Sequence, residues 1–363
     1  MERWRLLDLG YSEPLMAQIF YESVAEAVHR GESPNTLILL QPDRPYACLG
    51  YHQDLEQELD LDFLKEKGLP VIRRSQGGGA TYLDSNQIFY QIIFKDSGAV
   101  SMDVERLFEK LLAVTVETYR RLGVPAEYKP VNDVVVGGRK ISGNGAGRHE
   151  SATVLVGNII IDLDYDLMAR VLRVPDEKFR DKMAKSMVDW VTTLKRESAD
   201  PPSVEEIKKV YSDVFQELLG VKLCKGEPSE LERSIYDEET MPRHTSEEWL
   251  YMESMRPERM AGRAVKIAHD VKMVEADHKA GKLIRMRAEM VGSEIRRIQI
   301  MGDLFVVPKE AVDILEEMLI GVELEHTKLR SVVDRFYDVT QAQTPGITND
   351  DLVEALFKLQ ERL

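Results

Sequence analysis

The sequence has few cysteines, no long apolar run and a shortage of basic residues, and each of these excludes a class of protein. Only two of its 363 residues are cysteine, Cys48 and Cys224, too few for a disulfide framework or a cysteine-built metal cluster. No run reaches the ~18 apolar residues that a membrane-spanning helix needs, and the first residues lack the apolar core of a signal peptide. These features predict a cytoplasmic protein without a membrane partner.

The charge balance also argues against nucleic acid as a partner. Lys and Arg number 48 against 63 Asp and Glu, which gives a formal net charge of −15. Binding to nucleic acid relies on Lys and Arg neutralising phosphates, so this surface is unsuited to it. A small anionic substrate would need a local basic pocket.

The pattern of elements predicts an α+β protein with two domains. Short strands and helices alternate in the first half, and residues 88–94 are apolar on both faces, as in a central strand. A polar, proline-bearing stretch then precedes further strands and helices. We predict a first domain over residues 1–245, a linker over 246–262 and a smaller α+β domain over 263–363.

The first motif with chemical potential is a glycine run. Arg73 and Arg74 precede Gly77, Gly78 and Gly79, and Tyr82 and Asp84 follow. Consecutive glycines let a ligand approach the main chain, and their N–H groups can converge on an anion beside the two arginines. A flexible turn is the alternative. The flanking residues favour a ligand site.

The second motif is a hairpin over residues 132–143, turning at Gly137 and Gly138. A two-residue turn would pair Val136 with Arg139, Val135 with Lys140, and Asp133 with Ser142. Paired residues share a face of the sheet, so Asp133, Lys140 and Ser142 should point the same way. Lys140 could then stabilise charge on a reacting carboxylate or phosphate. An edge-strand lysine that prevents aggregation is an equal alternative.

Two neighbouring features carry less signal. Residues 143–148 are glycine-rich but lack the Lys-Ser/Thr ending of a phosphate-binding P-loop, so a mobile loop adjoining Lys140 is expected. Cys48 lies in an apolar strand, which predicts a small core residue rather than a nucleophile.

The two motifs together resemble the biotin/lipoate protein ligase family, closest to its lipoate–protein ligase A members with an accessory domain. The first motif matches through Arg73, Arg74, Gly77, Gly78, Gly79, Tyr82 and Asp84. The second matches through Asn132, Asp133, Gly138, Lys140, Ile141, Ser142 and Gly143. Residues 263–340 resemble the accessory domain, most clearly at 298–305.

The resemblance implies a mixed β-sheet flanked by helices and an acyl-adenylate-forming ligase. Such an enzyme activates lipoate with ATP and Mg²⁺, then transfers the lipoyl group to a lysine of a carrier domain. The carrier would be the glycine cleavage H-protein, a 2-oxoacid dehydrogenase acyltransferase or a related lipoate-binding protein.

The resemblance also implies roles for individual residues. Lys140 would bridge the substrate carbonyl and the α-phosphate. Arg74 and the glycines would line the lipoyl and phosphate cleft. Asn132 and Asp133 would serve the nucleotide, with Asp133 as a Mg²⁺ ligand. Tyr82, Asp84, Ser142 and Gly143 would complete the binding site.

Three departures from the family pattern leave the acyl substrate and the nucleotide pocket open. Gln76 replaces Ser or Thr, Leu83 replaces His, and Val156 replaces the His of a His-Gly-Thr sequence. The alternatives are an ATP-independent octanoyl or lipoyl transferase working between carriers, a biotin ligase, and a non-catalytic ligand-binding homologue. The transferase would need a cysteine nucleophile, and neither Cys48 nor Cys224 lies in a motif.

Overall fold

A computed structural model describes residues 1–95, 103–173, 177–252, 265–268 and 271–363. Most of the predicted linker, residues 253–262, lies outside these described ranges. Within them, no helix is both long enough and apolar enough to cross a membrane.

The chain divides into two compact units. The first comprises Met1–Cys48, Leu59–Arg74 and Thr81–Ser246, and the second comprises Leu49–Glu58, Ser75–Ala80 and Glu247–Leu363. Two short segments from within residues 1–245 therefore belong to the second unit, which the sequence analysis did not predict.

The strands are, in chain order, β1 Glu2–Ser12, β2 Thr36–Pro42, β3 Tyr46–Leu49, β4 Val71–Arg73, β5 Thr81–Leu83, β6 Gln87–Lys95, β7 Glu127–Lys129, β8 Asp133–Val136, β9 Arg139–His149, β10 Ala152–Ile160, β11 Val221–Lys225, β12 Val265–Ala268, β13 Val271–Lys279, β14 Leu283–Val291 and β15 Glu294–Gly302.

The α-helices are α1 Pro14–Arg30, α2 Leu55–Glu58, α3 Leu61–Lys67, α4 Val104–Arg121, α5 Tyr165–Val171, α6 Glu177–Trp190, α7 Leu194–Glu197, α8 Val204–Leu219, α9 Glu230–Ile235, α10 Met241–Thr245, α11 Glu247–Leu250, α12 Ala311–Leu319, α13 His326–Thr340 and α14 Asn349–Phe357. A π-helical turn, Tyr236–Thr240, joins α9 to α10, and a 3₁₀ turn, Gln360–Arg362, follows α14.

The first unit is built on an eight-stranded sheet in the order β11-β1-β2-β6-β10-β9-β8-β7. β1 pairs in parallel with β11 and β2. The remaining pairs are antiparallel, so the sheet is mixed, as the family resemblance implied. A second sheet orders its strands β4-β3-β5.

Burial of apolar side chains fixes the centre of this sheet. β6 is buried from Gln87 to Ile93, which confirms the predicted central strand. α1 packs on the sheet, and its Phe20 and Val24 share an apolar core with Ile38 of β2. Removing such side chains from water is the main stabilising contribution, roughly 1.5–3 kcal/mol for each large apolar residue.

The second unit contains a four-stranded sheet in the order β12-β13-β14-β15. Helices α12, α13 and α14 share one apolar core with this sheet, in which Ile284, Leu315, Val333 and Val353 are buried. The smaller α+β architecture predicted for the end of the chain is confirmed.

Candidate active site

The hairpin of β8 and β9 forms as predicted, but its pairing contains a bulge. Val136 pairs with Arg139 and Val135 with Lys140, whereas Val134 pairs with Ser142 and Asp133 with Gly143. Ile141 is therefore an extra residue on β9. Because side chains alternate along a strand, the bulge turns Ser142 to the face opposite Lys140, and the predicted Asp133–Ser142 pair is wrong.

Lys140 and Asp133 meet on one face of this hairpin. The Lys140 ammonium lies 2.7 Å from Asp133 Oδ1, and the two side chains are 37% and 31% exposed. Gly143 leaves room for the lysine, since a Cβ there would lie 3.2 Å from Lys140 Cε and 3.4 Å from Nζ. A half-exposed cation paired with a half-exposed carboxylate can still reach an anionic ligand, which a fully buried pair could not do.

A buried polar network occupies the opposite face. The Tyr90 hydroxyl donates to Asn144 Oδ1 and lies 3.1 Å from Ser142 Oγ. Asn132 and Asn144 each donate a side-chain amide hydrogen to the other's main-chain carbonyl. Burial raises the pKa of Tyr90 to about 12, so its hydroxyl stays protonated. Ser142 and Asn132 therefore support the hairpin, which sequence analysis did not anticipate.

The glycine-rich stretch after Lys140 is a strand and not the predicted mobile loop. Residues 144–149 pair with β10 from Asn144–Gly157 to His149–Ala152. Gly157 permits a close approach, since a Cβ there would lie 2.1 Å from Asn144 Oδ1. Gly157 of β10 therefore permits the tight packing of this strand pair at Asn144.

Arg73 and Arg74 have different surroundings. Arg73 is fully buried, and its carbonyl oxygen lies 3.0 Å from His244 Nδ1. Arg74 Nη1 donates to Cys48 Sγ over 3.5 Å. Burial raises the pKa of the Cys48 thiol, and the Arg74 charge offsets part of that effect. Cys48 is a core residue, as predicted.

Tyr82 and Asp84 bind each other at the turn between β5 and β6. The Tyr82 hydroxyl donates to Asp84 Oδ2 over 2.9 Å, and Asn86 N donates to Asp84 Oδ1 over 2.8 Å. Burial, reinforced by the Asp84 charge, raises the pKa of Tyr82. Both residues thus shape this turn, and both side chains are buried.

The glycine motif belongs to the second unit and packs there against residues 302–305. Gly78 N donates to the carbonyl oxygen of Leu304 over 3.0 Å. A Cβ on Gly77 would lie 1.9 Å from the same oxygen, and one on Gly79 would lie 3.3 Å from Asp303 Oδ1. The Gly78 N–H is thus engaged by the protein itself, which corrects the expectation that it faces an anion.

No group of three or more His, Cys, Asp or Glu side chains among the described residues could hold a metal ion.

A family model described as the lipoyl protein ligase A/B catalytic domain matches residues 13–216. The chain belongs to this family. A second model, described as the bacterial lipoate protein ligase C-terminus, matches residues 276–356. These matches confirm the resemblance drawn from the two sequence motifs.

Relatives with two different activities are similar to this family member. The octanoyltransferase LipM of Kyrpidia tusciae is 28% identical over 278 residues, 69% of this chain and 99% of that protein. The lipoate-protein ligase LplJ of Bacillus subtilis is 26% identical over 304 residues, 82% of this chain and 84% of that protein.

Two solved structures share the fold. One is a bipartite lipoate protein ligase of Thermoplasma acidophilum, described together with its E2 lipoyl domain. It is 28% identical with a TM-score of 0.62, covering 72% of this chain and 100% of that one. The other is a lipoate-protein ligase A bound with ATP, 25% identical with a TM-score of 0.60, covering 69% of this chain and 99% of that one.

Proposed function

We propose that this enzyme of the lipoyl ligase family is an ATP-dependent lipoate–protein ligase. The observation that carries the proposal is the Lys140 ammonium, held 2.7 Å from Asp133 on the open side of the hairpin. A cation fixed in this way can stabilise the negative charge that develops when a carboxylate meets a phosphate.

The proposed reaction has two steps. The lipoate carboxylate oxygen attacks the α-phosphorus of ATP, the bond between the α- and β-phosphates breaks, and pyrophosphate leaves. A neutral lysine amine of the carrier then attacks the acyl carbonyl, AMP leaves with the bonding electron pair, and a proton is released from nitrogen. Lys140 can bind the carbonyl and α-phosphate oxygens in both steps.

Asp133 is the proposed Mg²⁺ ligand. Mg²⁺ commonly binds one or two protein carboxylates and takes its other ligands from nucleotide phosphates and water. A single half-exposed carboxylate beside Lys140 fits such a site. The ion would supply charge neutralisation on the phosphates.

The remaining site assignments stay proposals that rest on the family resemblance. Arg74 is proposed to bind the lipoyl and phosphate groups. The glycines at 77–79 are proposed to shape the segment that follows it, since Gly78 N already donates to the Leu304 carbonyl. Asn132 is proposed to serve the nucleotide. For Tyr82, Asp84 and Ser142, whose side chains bond within the protein, the proposed contribution is the shape of the segments they support.

The second candidate is an ATP-independent octanoyl or lipoyl transferase, which the LipM relative favours. A transferase with a covalent intermediate needs a reactive thiol, and thiolates react where their pKa is low and solvent reaches them. Cys48 is fully buried with a raised pKa. Cys224 lies on β11, at the edge of the eight-stranded sheet. Burial thus makes Cys48 unsuited to be a nucleophile, and Cys224, although partly exposed, lies five strands away from β9, which carries Lys140.

The sequence matches of the second unit also support the proposed ligase function. The match to the octanoyltransferase leaves about a third of this chain uncovered, and residues 276–356 match a model that describes a ligase C-terminus. A transferase between carriers has no need of a unit dedicated to a ligase.

A carrier assay tests the proposal. A panel of lipoyl domains, including an H-protein and an acyltransferase lipoyl domain, is incubated with the protein, ATP and either lipoate or octanoate. Mass spectrometry should show a lipoyl adduct on the carrier lysine and release of pyrophosphate. Cys48→Ala and Cys224→Ala should retain activity. Acyl transfer between carriers without ATP, abolished by either cysteine change, would establish the transferase instead.

A further inference from the structure

We propose that Asn158, on β10, is a positioning residue that sets the place of Lys140 through Gly143. The proposal rests on the proposed function, because Lys140 is the reacting cation in that scheme. It assigns a specific task to the residue that stands where the family's His-Gly-Thr sequence, with Val156 in place of its His, has Thr.

The Asn158 side chain replaces a main-chain hydrogen bond at the end of a strand pair. The pairing of β9 with β10 stops at Asn144 and Gly157. One residue further along, Gly143 N donates to Asn158 Oδ1 over 2.8 Å. A main-chain N–H is a donor only, so the amide oxygen must face Gly143. The Asn158 side chain therefore continues the hydrogen bonding between β9 and β10 by one residue, to Gly143.

The other end of the Asn158 amide is also fixed. Its Nδ2 donates to Gln87 Oε1 over 2.7 Å, and Gln87 Nε2 donates to the Tyr82 carbonyl over 3.4 Å. These bonds connect the β5–β6 turn to Gly143 through two side chains. Because each amide is oriented by its neighbours, the Oδ1 of Asn158 cannot turn away from Gly143 without breaking a second bond.

The position of Gly143 constrains the lysine because their separation is small. A Cβ on Gly143 would lie 3.2 Å from Lys140 Cε, so the glycine main chain lies beside the end of the lysine side chain and a displacement of one affects the space open to the other. The chain between them is also held, since Thr192 N donates to the Lys140 carbonyl and the Tyr119 hydroxyl to the Ile141 carbonyl, each over 2.8 Å. Asn158 fixes the main chain after the bulge, at Gly143.

The test compares two substitutions with a matched control. Asn158→Leu removes the acceptor at similar volume, whereas Asn158→Asp keeps an oxygen for the Gly143 N–H. Asn35→Leu is the control, because Asn35 Oδ1 likewise accepts a main-chain N–H, from Lys95 over 2.9 Å, at the opposite end of β6 from Gln87. Two readouts are used: lipoate-dependent ATP–pyrophosphate exchange, and amine labelling of Lys140 in the ligand-free protein, measured by mass spectrometry.

We expect Asn158→Leu to lower kcat of the exchange by about 10- to 100-fold, with KM changed less than about threefold, because a misplaced catalytic group costs rate more than binding. Lys140 labelling should change several-fold in the same variant. Asn158→Asp keeps the acceptor for Gly143 but loses the bond to Gln87, so it should restore part of the exchange rate. Its added charge near Lys140 changes the labelling independently, so labelling is compared only between Asn158→Leu and the unmodified protein. Asn35→Leu should alter neither value.

Unchanged Lys140 labelling in Asn158→Leu would overturn the proposal, as would an equal loss in Asn158→Asp and Asn158→Leu accompanied by an equal fall in Tm. Because labelling needs no substrate, it tests the positioning of Lys140 even if the unmodified protein shows no exchange. An absence of exchange in the unmodified protein would instead reject the ligase function.

Discussion

The main-chain N–H of Gly78 donates to the carbonyl oxygen of Leu304 over 3.0 Å. This hydrogen bond joins the glycine motif, residues 77–79, to Leu304, which comes much later in the sequence. Gln53 and Asp303 reinforce the relationship, since Gln53 Nε2 donates to Asp303 Oδ1 over 3.0 Å. The second unit thus holds the conformation of the glycine motif.

This relationship changes what a shortened chain should do. From sequence and family resemblance, a protein ending near residue 245 is expected to fold, to lose activation of the acid by ATP and to keep some transfer from a supplied acyl-adenylate. Such a chain lacks Leu304, so we expect the eight-stranded sheet to form while the glycine motif loses its partner. Hydrogen exchange should be fast at Gly78 and slow at Ile160 in the sheet. Slow exchange at Gly78 in the shortened protein would contradict this prediction.

Lys140→Ala should abolish adenylate formation and leave the fold intact. Loss of a positioned cation at developing charge typically lowers the rate by ~10²–10³. The pair with Asp133 is more than a third exposed on the lysine side, so unfolding should change by no more than about 1 kcal/mol. The control is Lys195→Ala, which removes an exposed lysine paired with Asp162 at 2.9 Å. Pyrophosphate exchange near the normal rate in Lys140→Ala would remove the lysine from the mechanism.

Gly143→Ala should lower kcat without unfolding the protein. The added methyl would lie 3.2–3.4 Å from the end of the Lys140 side chain, and the flexible lysine must yield. We expect a rate loss of about 10-fold or more, since displacing a catalytic group by a fraction of an ångström is costly. Steady-state kinetics with lipoate and ATP, together with Tm, provide the measurement. A normal kcat would show that the lysine tolerates another position.

Gly77→Ala should disrupt the packing of the second unit. The new Cβ would lie 1.9 Å from the Leu304 carbonyl oxygen, and neither main-chain group can move freely. Gly292→Ala is the control, because a Cβ there meets nothing and only its φ of +61° is strained. We expect about 1–2 kcal/mol of destabilisation for the control and more for Gly77→Ala, with Gly78 exchange accelerated only in the latter. Equal effects would mean that the close contact is not maintained in solution.

Asp351 should make the second unit sensitive to acid. Its carboxylate accepts the Thr348 main-chain N–H at the start of α14, and this hydrogen bond, with that from the Thr348 hydroxyl, lowers the pKa of Asp351 from 3.8. A carboxyl with a lowered pKa stabilises the folded state above its ordinary pKa, and the contribution is lost as pH falls through the lowered value. Asp351→Asn should thus be less stable at pH 7, by roughly 0.5–1 kcal/mol.

The difference between Asp351→Asn and the unmodified protein should shrink as the pH falls below 3.8. Urea unfolding from pH 7 to pH 3 measures it. Asp350→Asn, which changes the same charge one residue earlier without altering the Thr348 cap, is the control. A stability difference that stays constant over this pH range would refute the assignment.

Local sequence chemistry was sufficient to predict the hairpin and its turn. Gly137 and Gly138 adopt positive φ values of 54° and 80°, as two-residue hairpin turns require. The apolar run of β6 likewise predicted a central strand, because a strand buried on both faces must be apolar on both. The meeting of Lys140 and Asp133 followed from the same alternation of side chains.

The bulge at Ile141 could not be predicted in this way. It lies where two residues distant in sequence bind the main chain, Thr192 at the Lys140 carbonyl and Tyr119 at the Ile141 carbonyl. A bulge of one residue reverses the facing of all that follows, so Ser142 was assigned to the wrong face. The strand character of residues 144–149 was also not predicted, because glycines are typical of loops and the pairing of this segment with β10 is decided by the fold.

The sequence by itself determined the two motifs, the family and the α+β architecture, because these depend on residue type, spacing and periodicity. Only the tertiary structure decided which unit holds each motif and what each side chain contacts. Gly77, Gly78 and Gly79 look like an open anion loop in sequence, yet a carbonyl and a carboxylate from residues 303–304 lie against them. Such contacts depend on the folded path of the chain, which brings together residues more than two hundred positions apart.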